Sequence, residues 1–230
     1  LTPTPLYHYK GMSDEVGAEV WVKHENHQPI QAFKVRGGVN FMANLDTEMK
    51  ARGVITATTG NHGQSIAYAA RLFNVRAIIA MPNGANPDKV KAIQSLGAEI
   101  QFAGQDFDDS REHAEQVAKR EGLHFLSSGD EPLLIAGVGT YALEILEHLP
   151  SVEVIIVPVG GGSGAAGVCL AAKKLNPRVK LIGVQSEAAP AAYLSWKKKQ
   201  EVEAKMETFA EGLATRSAFE IPQAIMRRHL

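Results

Sequence analysis

Apolar and polar positions along the chain fall into two alternating kinds of block. Short apolar, β-branched runs alternate with longer stretches in which apolar positions recur every three or four residues. The runs predict strands at Glu19–His24, Val54–Thr58, Val75–Met81, Ala98–Phe102, His124–Leu126, Val152–Val159 and Val179–Val184. The stretches predict helices at about Phe33–Leu45, Ser65–Phe73, Pro87–Ser95, Phe107–Glu121, Leu134–His148, Ser163–Leu175 and Pro190–Lys199. Apolar strands spaced by helices imply an α/β protein with parallel sheets flanked by helices and joined by right-handed crossovers. No repeat, low-complexity tract or clear linker interrupts the pattern, so two lobes would have to be intertwined.

Composition narrows this picture only a little. The chain has 230 residues, 45% hydrophobic and 21% charged, which suits a globular protein with a sizeable core. A formal net charge of −1 offers no strong field for nucleic acid or a membrane surface. Lys197-Lys-Lys199 reads as a solvated helix face. Cys169, the only cysteine, sits in a buried-helix setting and excludes an internal disulfide. No apolar run approaches the roughly 20 residues that span a bilayer, and no signal peptide is visible, so the cytoplasm is the expected location. The chain starts without Met and stops within a helical pattern, which reads as an excerpt of a longer protein.

Three strand-to-helix junctions carry candidate chemistry. Gly160-Gly-Gly-Ser-Gly164 follows the most apolar run and opens a helix. Unpaired N–H groups, the helix dipole and glycine's small size make such a junction an anion cradle, and Ser163 adds a hydroxyl. Gly162-Ser-Gly-Ala-Ala-Gly167 also matches the dinucleotide fingerprint, with Glu187 past the next strand, so a nicotinamide oxidoreductase is a rival of another class. Thr58-Thr-Gly-Asn-His-Gly63 offers hydroxyls, the Asn61 amide and N–H groups for a carboxylate and a phenolic oxygen, or simply a helix cap. Lys34, flanked by Ala32, Phe33 and Val35, is expected to be partly buried, which frees its neutral amine for imine formation. Arg36 reads as a structural or surface charge.

Together these loops make the chain resemble a fold-type II pyridoxal-phosphate enzyme, in the threonine dehydratase and serine racemase group. Lys23-x-Glu-Asn-x-Gln-x-x-x-Ala-Phe-Lys-x-Arg-Gly37-Gly38 is similar to its cofactor-lysine motif, Thr59-Gly-Asn-His-Gly63 to its Ser-Gly-Asn-His loop and Gly160–Gly164 to its tetraglycine cup. Thr4-Pro-Leu6, Ile135-Ala-Gly-Val-Gly-Thr140 and Glu211-Gly-Leu213 resemble further landmarks in order.

The resemblance implies pyridoxal 5'-phosphate (PLP) as cofactor and two intertwined lobes like the tryptophan synthase β chain. Residues 1–46 and 137–230 would form the large cofactor-binding lobe, incomplete at its C-terminal end, and 47–136 the small one. It implies Lys34 as the catalytic lysine and Schiff-base former, and Phe33 packed beside the ring. Asn61 would bond the ring's 3′-oxygen, Gly160, Gly161, Gly162, Ser163 and Gly164 would hold the phosphate, and Gly212 would line the ring face. Thr59, Gly60, Asn61 and His62 would take the substrate carboxylate. The implied reaction is β-elimination from threonine or serine, giving a 2-oxo acid and ammonia. A 3-hydroxyaspartate dehydratase, a racemase or a β-replacement synthase are the alternatives. A catalytically silent binding module is a further one. A homodimer is implied, with a small amino acid as the only other partner.

Departures refine this. Thr59 stands where the group usually has serine, against racemisation. Ser163 replaces the fourth glycine. Gln185 and Ala191 stand where metal-binding members carry acids, so no metal site is expected, and Asp106, Asp108 and Asp109 read as a helix start. The pyridine-nitrogen partner falls late in the family's sequences, outside these residues.

Overall fold

The computed structural model describes residues 1–230. An antiparallel pair, β1 (Leu6–His8) and β2 (Trp21–Lys23), opens the chain around a short helix α1 (Lys10–Val16). Helices α2 (Lys34–Asn44) and α3 (Thr47–Arg52) lead into a four-stranded parallel sheet. Its strands are β3 (Val54–Ala57), β4 (Ala77–Met81), β5 (Glu99–Phe102) and β6 (His124–Phe125), in the order β5-β4-β3-β6. Between them run α4 (Asn61–Phe73), α5 (Pro87–Ser95) and α6 (Phe107–Glu121). After α7 (Pro132–His148) come β7 (Val154–Pro158), α8 (Ser163–Leu175), β8 (Lys180–Val184), α9 (Ala191–Lys198) and α10 (Glu220–His229). β7 and β8 pair in parallel, with Val157 opposite Gly183.

Every predicted strand and helix is present; α5, α6 and α8 keep their expected bounds and the others shift at their ends. Three elements were not anticipated, β1, α1 and α3, while α10 is the helical pattern in which the chain stops. β1 is three residues long, and α1 and α3 bury none of their residues. Each therefore lacks an apolar period long enough to read. α4 also begins four residues earlier than expected, because Asn61–Gln64 is polar yet already helical.

Three packed layers position the junctions. One face of the four-stranded sheet buries Ile79 and Met81 against Phe41 and Met42 of α2 and Ile66 of α4. The other buries Ile55 and Ile78 against Ala114 and Val117 of α6. A separate core joins Ile155, Val157 and Leu181 to Val168 and Cys169 of α8 and Ala142 of α7. The outer face of β7–β8 stays open, with Ile156 65% and Val184 51% exposed, so this sheet is covered on one side only.

α7 is the hinge of the architecture. It meets α2 where a Cβ at Gly137 would stand 2.5 Å from Arg36 O, and one at Gly37 2.8 Å from Leu134 O. It meets α8 where a Cβ at Gly167 would stand 2.7 Å from Gly139 N. Only hydrogen fits at these crossings, so both helices lie backbone to backbone on α7. The last glycine of the apparent dinucleotide fingerprint, Gly167, is thus spent on helix–helix packing.

Candidate functional site

Because α2 and α8 share α7, their N-terminal ends converge. Lys34, the first residue of α2, points its Nζ at the first residue of α8 and donates to Ser163 Oγ at 3.0 Å. A longer contact, 3.4 Å, reaches Ser128 O in the loop between β6 and α7. Removal from water lowers the Lys34 pKa to about 8, so a useful fraction of neutral amine exists near neutral pH. The backbone of Lys34 is anchored too, its carbonyl accepting from Ser65 Oγ on α4 at 2.6 Å.

The α8 end is built as an anion cup. Ala166 N makes the first intrahelical bond, to Gly162 O at 2.8 Å, which leaves the N–H groups of Ser163, Gly164 and Ala165 ahead of the ladder. Gly162 has φ 97°, a left-handed conformation, and its Cβ would meet Met226 Cε at 2.8 Å. A Cβ at Gly160 would strike Gly212 O at 2.7 Å, and one at Gly161 the Phe219 ring at 2.6 Å. Phe33 stands beside Gly164, whose Cβ would lie 3.1 Å from its ring, and Tyr141 OH donates to Gly164 O at 3.3 Å. Gly212 has nothing within 4 Å of where its Cβ would be, so it borders open space.

The second loop is half cap, half site. Thr58 Oγ1 accepts from Gly60 N at 2.9 Å and Gly63 N at 3.3 Å, so its hydroxyl serves the helix start. The N–H groups of Asn61 and His62 lie between these and remain for a ligand, and the Thr59 side chain is exposed. The His62 ring turns inward instead. Its Nε2 lies 2.9 Å from Thr56 Oγ1, which spends its one proton on Leu126 O at 2.6 Å. His62 must therefore be the donor, with Nε2 protonated. Burial, aided by the nearby Lys34 charge, drops its pKa to about 3, so the ring is neutral and only its backbone can serve the loop.

Behind Lys34 lies a buried ionic cluster. The Arg36 guanidinium donates to Glu25 Oε2 at 2.7 Å and Glu144 Oε2 at 2.9 Å, and Lys23 Nζ also reaches Glu144. Burial by itself would lower the Arg36 pKa, but the two carboxylates outweigh it and raise it. The expectation of a structural charge therefore holds for Arg36, with the addition that it braces the first turn of α2. Asp106 caps α6, accepting from Asp108 N and Asp109 N.

Sequence reasoning passed over three neighbours. The Ser127–Asp130 loop lines the amine, and its cue was a Ser-Ser-Gly-Asp turn. Phe219 and Lys89 have no cue in the sequence. Phe219 packs between Gly129 and Gly161, and Lys89 Nζ would lie 2.9 Å from a Cβ at Gly60. No helix is long and apolar enough to cross a membrane.

A family model described as "Pyridoxal-phosphate dependent enzyme" matches residues 1–230. The chain is 40% identical over 214 residues to the L-threonine ammonia-lyase of Geobacter sulfurreducens, covering 93% of this chain and 53% of that protein. It superposes on the processed form of threonine deaminase isoform 2 from Solanum lycopersicum with a TM-score of 0.95 at 34% identity, over 100% of this chain and 67% of that one. For maize serine racemase the TM-score is 0.94 at 28% identity, over 100% and 71%. The chain spans about half the length of the curated relatives it matches.

Proposed function

The chain belongs to the pyridoxal-phosphate dependent enzyme family, and from that premise we propose that it carries the β-elimination site of a threonine or serine dehydratase, releasing a 2-oxo acid and ammonia. The single observation that carries this reading is the buried Lys34 amine 3.0 Å from Ser163 in a cup of glycines. That arrangement fits the cofactor. An amine with a pKa of about 8 suits an aldehyde, and a glycine loop closed to any Cβ at a helix start suits a phosphate. The nicotinamide reading is set aside, because the family match covers the whole chain and Gly167 is occupied by α7.

When bound, pyridoxal phosphate supplies an aldehyde for amines and a ring that takes up the electron pair left at the substrate Cα. The chain's residues do the rest. Ser163 Oγ and the N–H groups of Ser163, Gly164 and Ala165 would hold the phosphate, with the α8 dipole behind them. Phe33 would flank the ring and Asn61 would bond its 3′-oxygen. The N–H groups of Asn61 and His62, with Thr59 and Gly60, seat the substrate carboxylate. Lys34 Nζ would hold the cofactor between turnovers and would move the proton at the substrate Cα. General acid–base help of this kind is worth about 10²–10⁴-fold. Thr59 in place of serine supports elimination over racemisation.

The proposal extends to the lobe division at 1–46 with 137–230 and 47–136, to a homodimer, and to a cytoplasmic location. Family resemblance supports these, and light scattering and cell fractionation test the last two. Oxo-acid release from threonine, serine and 3-hydroxyaspartate tests the function. Release from none of them, by protein that retains cofactor, overturns it in favour of a silent binding module.

A further inference from the structure

Between α9 and α10 the chain runs without regular structure apart from a 3-10 turn at Glu211–Leu213, and it touches both halves of the site. Gly212 O lies against Gly160, and Phe219 lies against Gly161 on one side and Gly129 on the other. Ile221 N donates to Asp130 Oδ1 at 2.8 Å. Arg216 lies 3.6 Å from both Asp106 and Asp108 at the start of α6. Closest to the carboxylate loop, Glu211 pairs with Lys89 of α5, whose ammonium lies beside Gly60. The segment is therefore a strap, and one ion pair ties it to α5 beside the loop that would seat the substrate.

We propose that the Lys89–Glu211 pair is a specificity and positioning device: Glu211 holds the strap against the Gly60 loop and cancels the lysine charge that borders the substrate. This rests on the function proposed above and goes further, because it names the substrate class. An amino acid with a neutral β-hydroxyl side chain meets a balanced pair. A substrate with a second carboxylate, such as 3-hydroxyaspartate, meets Glu211 as a like charge and finds Lys89 already engaged. The pair is no folding element, since Glu211 is 60% exposed and Lys89 22%. Its two partners should consequently act with opposite sign on specificity, which a merely structural contact would not do.

The test compares wild type, E211Q, K89A and K89A/E211Q in two readouts. The first is amide hydrogen exchange across residues 209–216, which needs no turnover. Both single variants should speed exchange by a similar factor, about two- to fivefold for a rim ion pair, and the double variant should add nothing. The second is the ratio of kcat/KM for 3-hydroxyaspartate over threonine. E211Q should raise it by about two- to fivefold, K89A should lower it, and the double variant should return it toward wild type. Unchanged or additive exchange removes the strap. Equal shifts of the ratio in E211Q and K89A remove the specificity role. Coupled exchange without oxo acid from any variant leaves the strap standing and removes the dehydratase reading alone.

Discussion

Lys34 Nζ and Ser163 Oγ are 3.0 Å apart although 129 residues separate them. The contact exists because α2 and α8 both cross α7 at glycines, which brings two helix starts to one point. A buried amine and a glycine-rich helix start suited to an anion thereby share a site, and most of the proposed chemistry depends on that one meeting.

Replacing Lys34 with Ala should remove covalent cofactor retention. Borohydride treatment followed by mass spectrometry should find the cofactor fixed to the peptide containing Lys34 in wild type and to no peptide in the variant. Turnover should fall by at least about 10²–10⁴-fold, the share assigned to a proton carrier.

The same lysine should cost stability while it is charged. Its folded pKa is about 8 against 10.5 unfolded. The unfolded chain therefore binds more protons between these values, and stability rises with pH across that window. Below pH 8 both states are protonated and the penalty is complete. Lys34→Met in the cofactor-free protein should gain on the order of 1–3 kcal/mol at pH 7, with the gain shrinking as pH rises to 10.5. Urea unfolding at pH 7, 9 and 10.5 measures this, and a constant gap would contradict it.

Gly162→Ala should weaken both the fold and cofactor binding. Its φ of 97° strains any L side chain, and the added methyl meets Met226. A loss of about 1–3 kcal/mol is expected. Gly160→Ala presses on Gly212 O instead, so it should weaken PLP affinity and loosen the strap. Thermal melts with and without PLP separate the two effects: the ligand-induced rise in Tm should shrink in both variants.

Arg36→Met leaves the largely buried Glu25 without an ionic partner and Glu144 with Lys23 alone, which should cost up to about 3–5 kcal/mol. The pair's contribution depends on pH. Burial alone would raise the Glu144 pKa, but Arg36 and Lys23 outweigh it and hold it below the usual value. The stabilisation is present above the ordinary carboxylate range and is lost as pH falls through the depressed folded value. The difference between wild type and variant should therefore be large at pH 7 and small in acid, as read by denaturant midpoints.

Much of this was legible beforehand for identifiable reasons. Val154–Val157 announced β7 by an unbroken apolar run, and Gly160–Gly164 announced the cup because few other residues tolerate its geometry. Lys34 was legible through the company it keeps in its motif. The role of the His62 ring was not legible. Only the donor count at Thr56 shows that it faces the sheet and leaves the loop its backbone alone. Thr58 likewise reads as a possible ligand until Gly60 and Gly63 are seen to use its hydroxyl.

By itself the sequence determined the local pieces: where strands and helices lie, which junctions can hold an anion, and which amine can turn reactive. These follow from short-range rules of period, size and charge, which act within a few residues. Tertiary structure alone decided that Gly37, Gly137, Gly139 and Gly167 draw α2 and α8 onto α7. It also decided that Lys89 answers Glu211 across the site. Such contacts join residues far apart in the chain, and their energy depends on distances that no local pattern encodes.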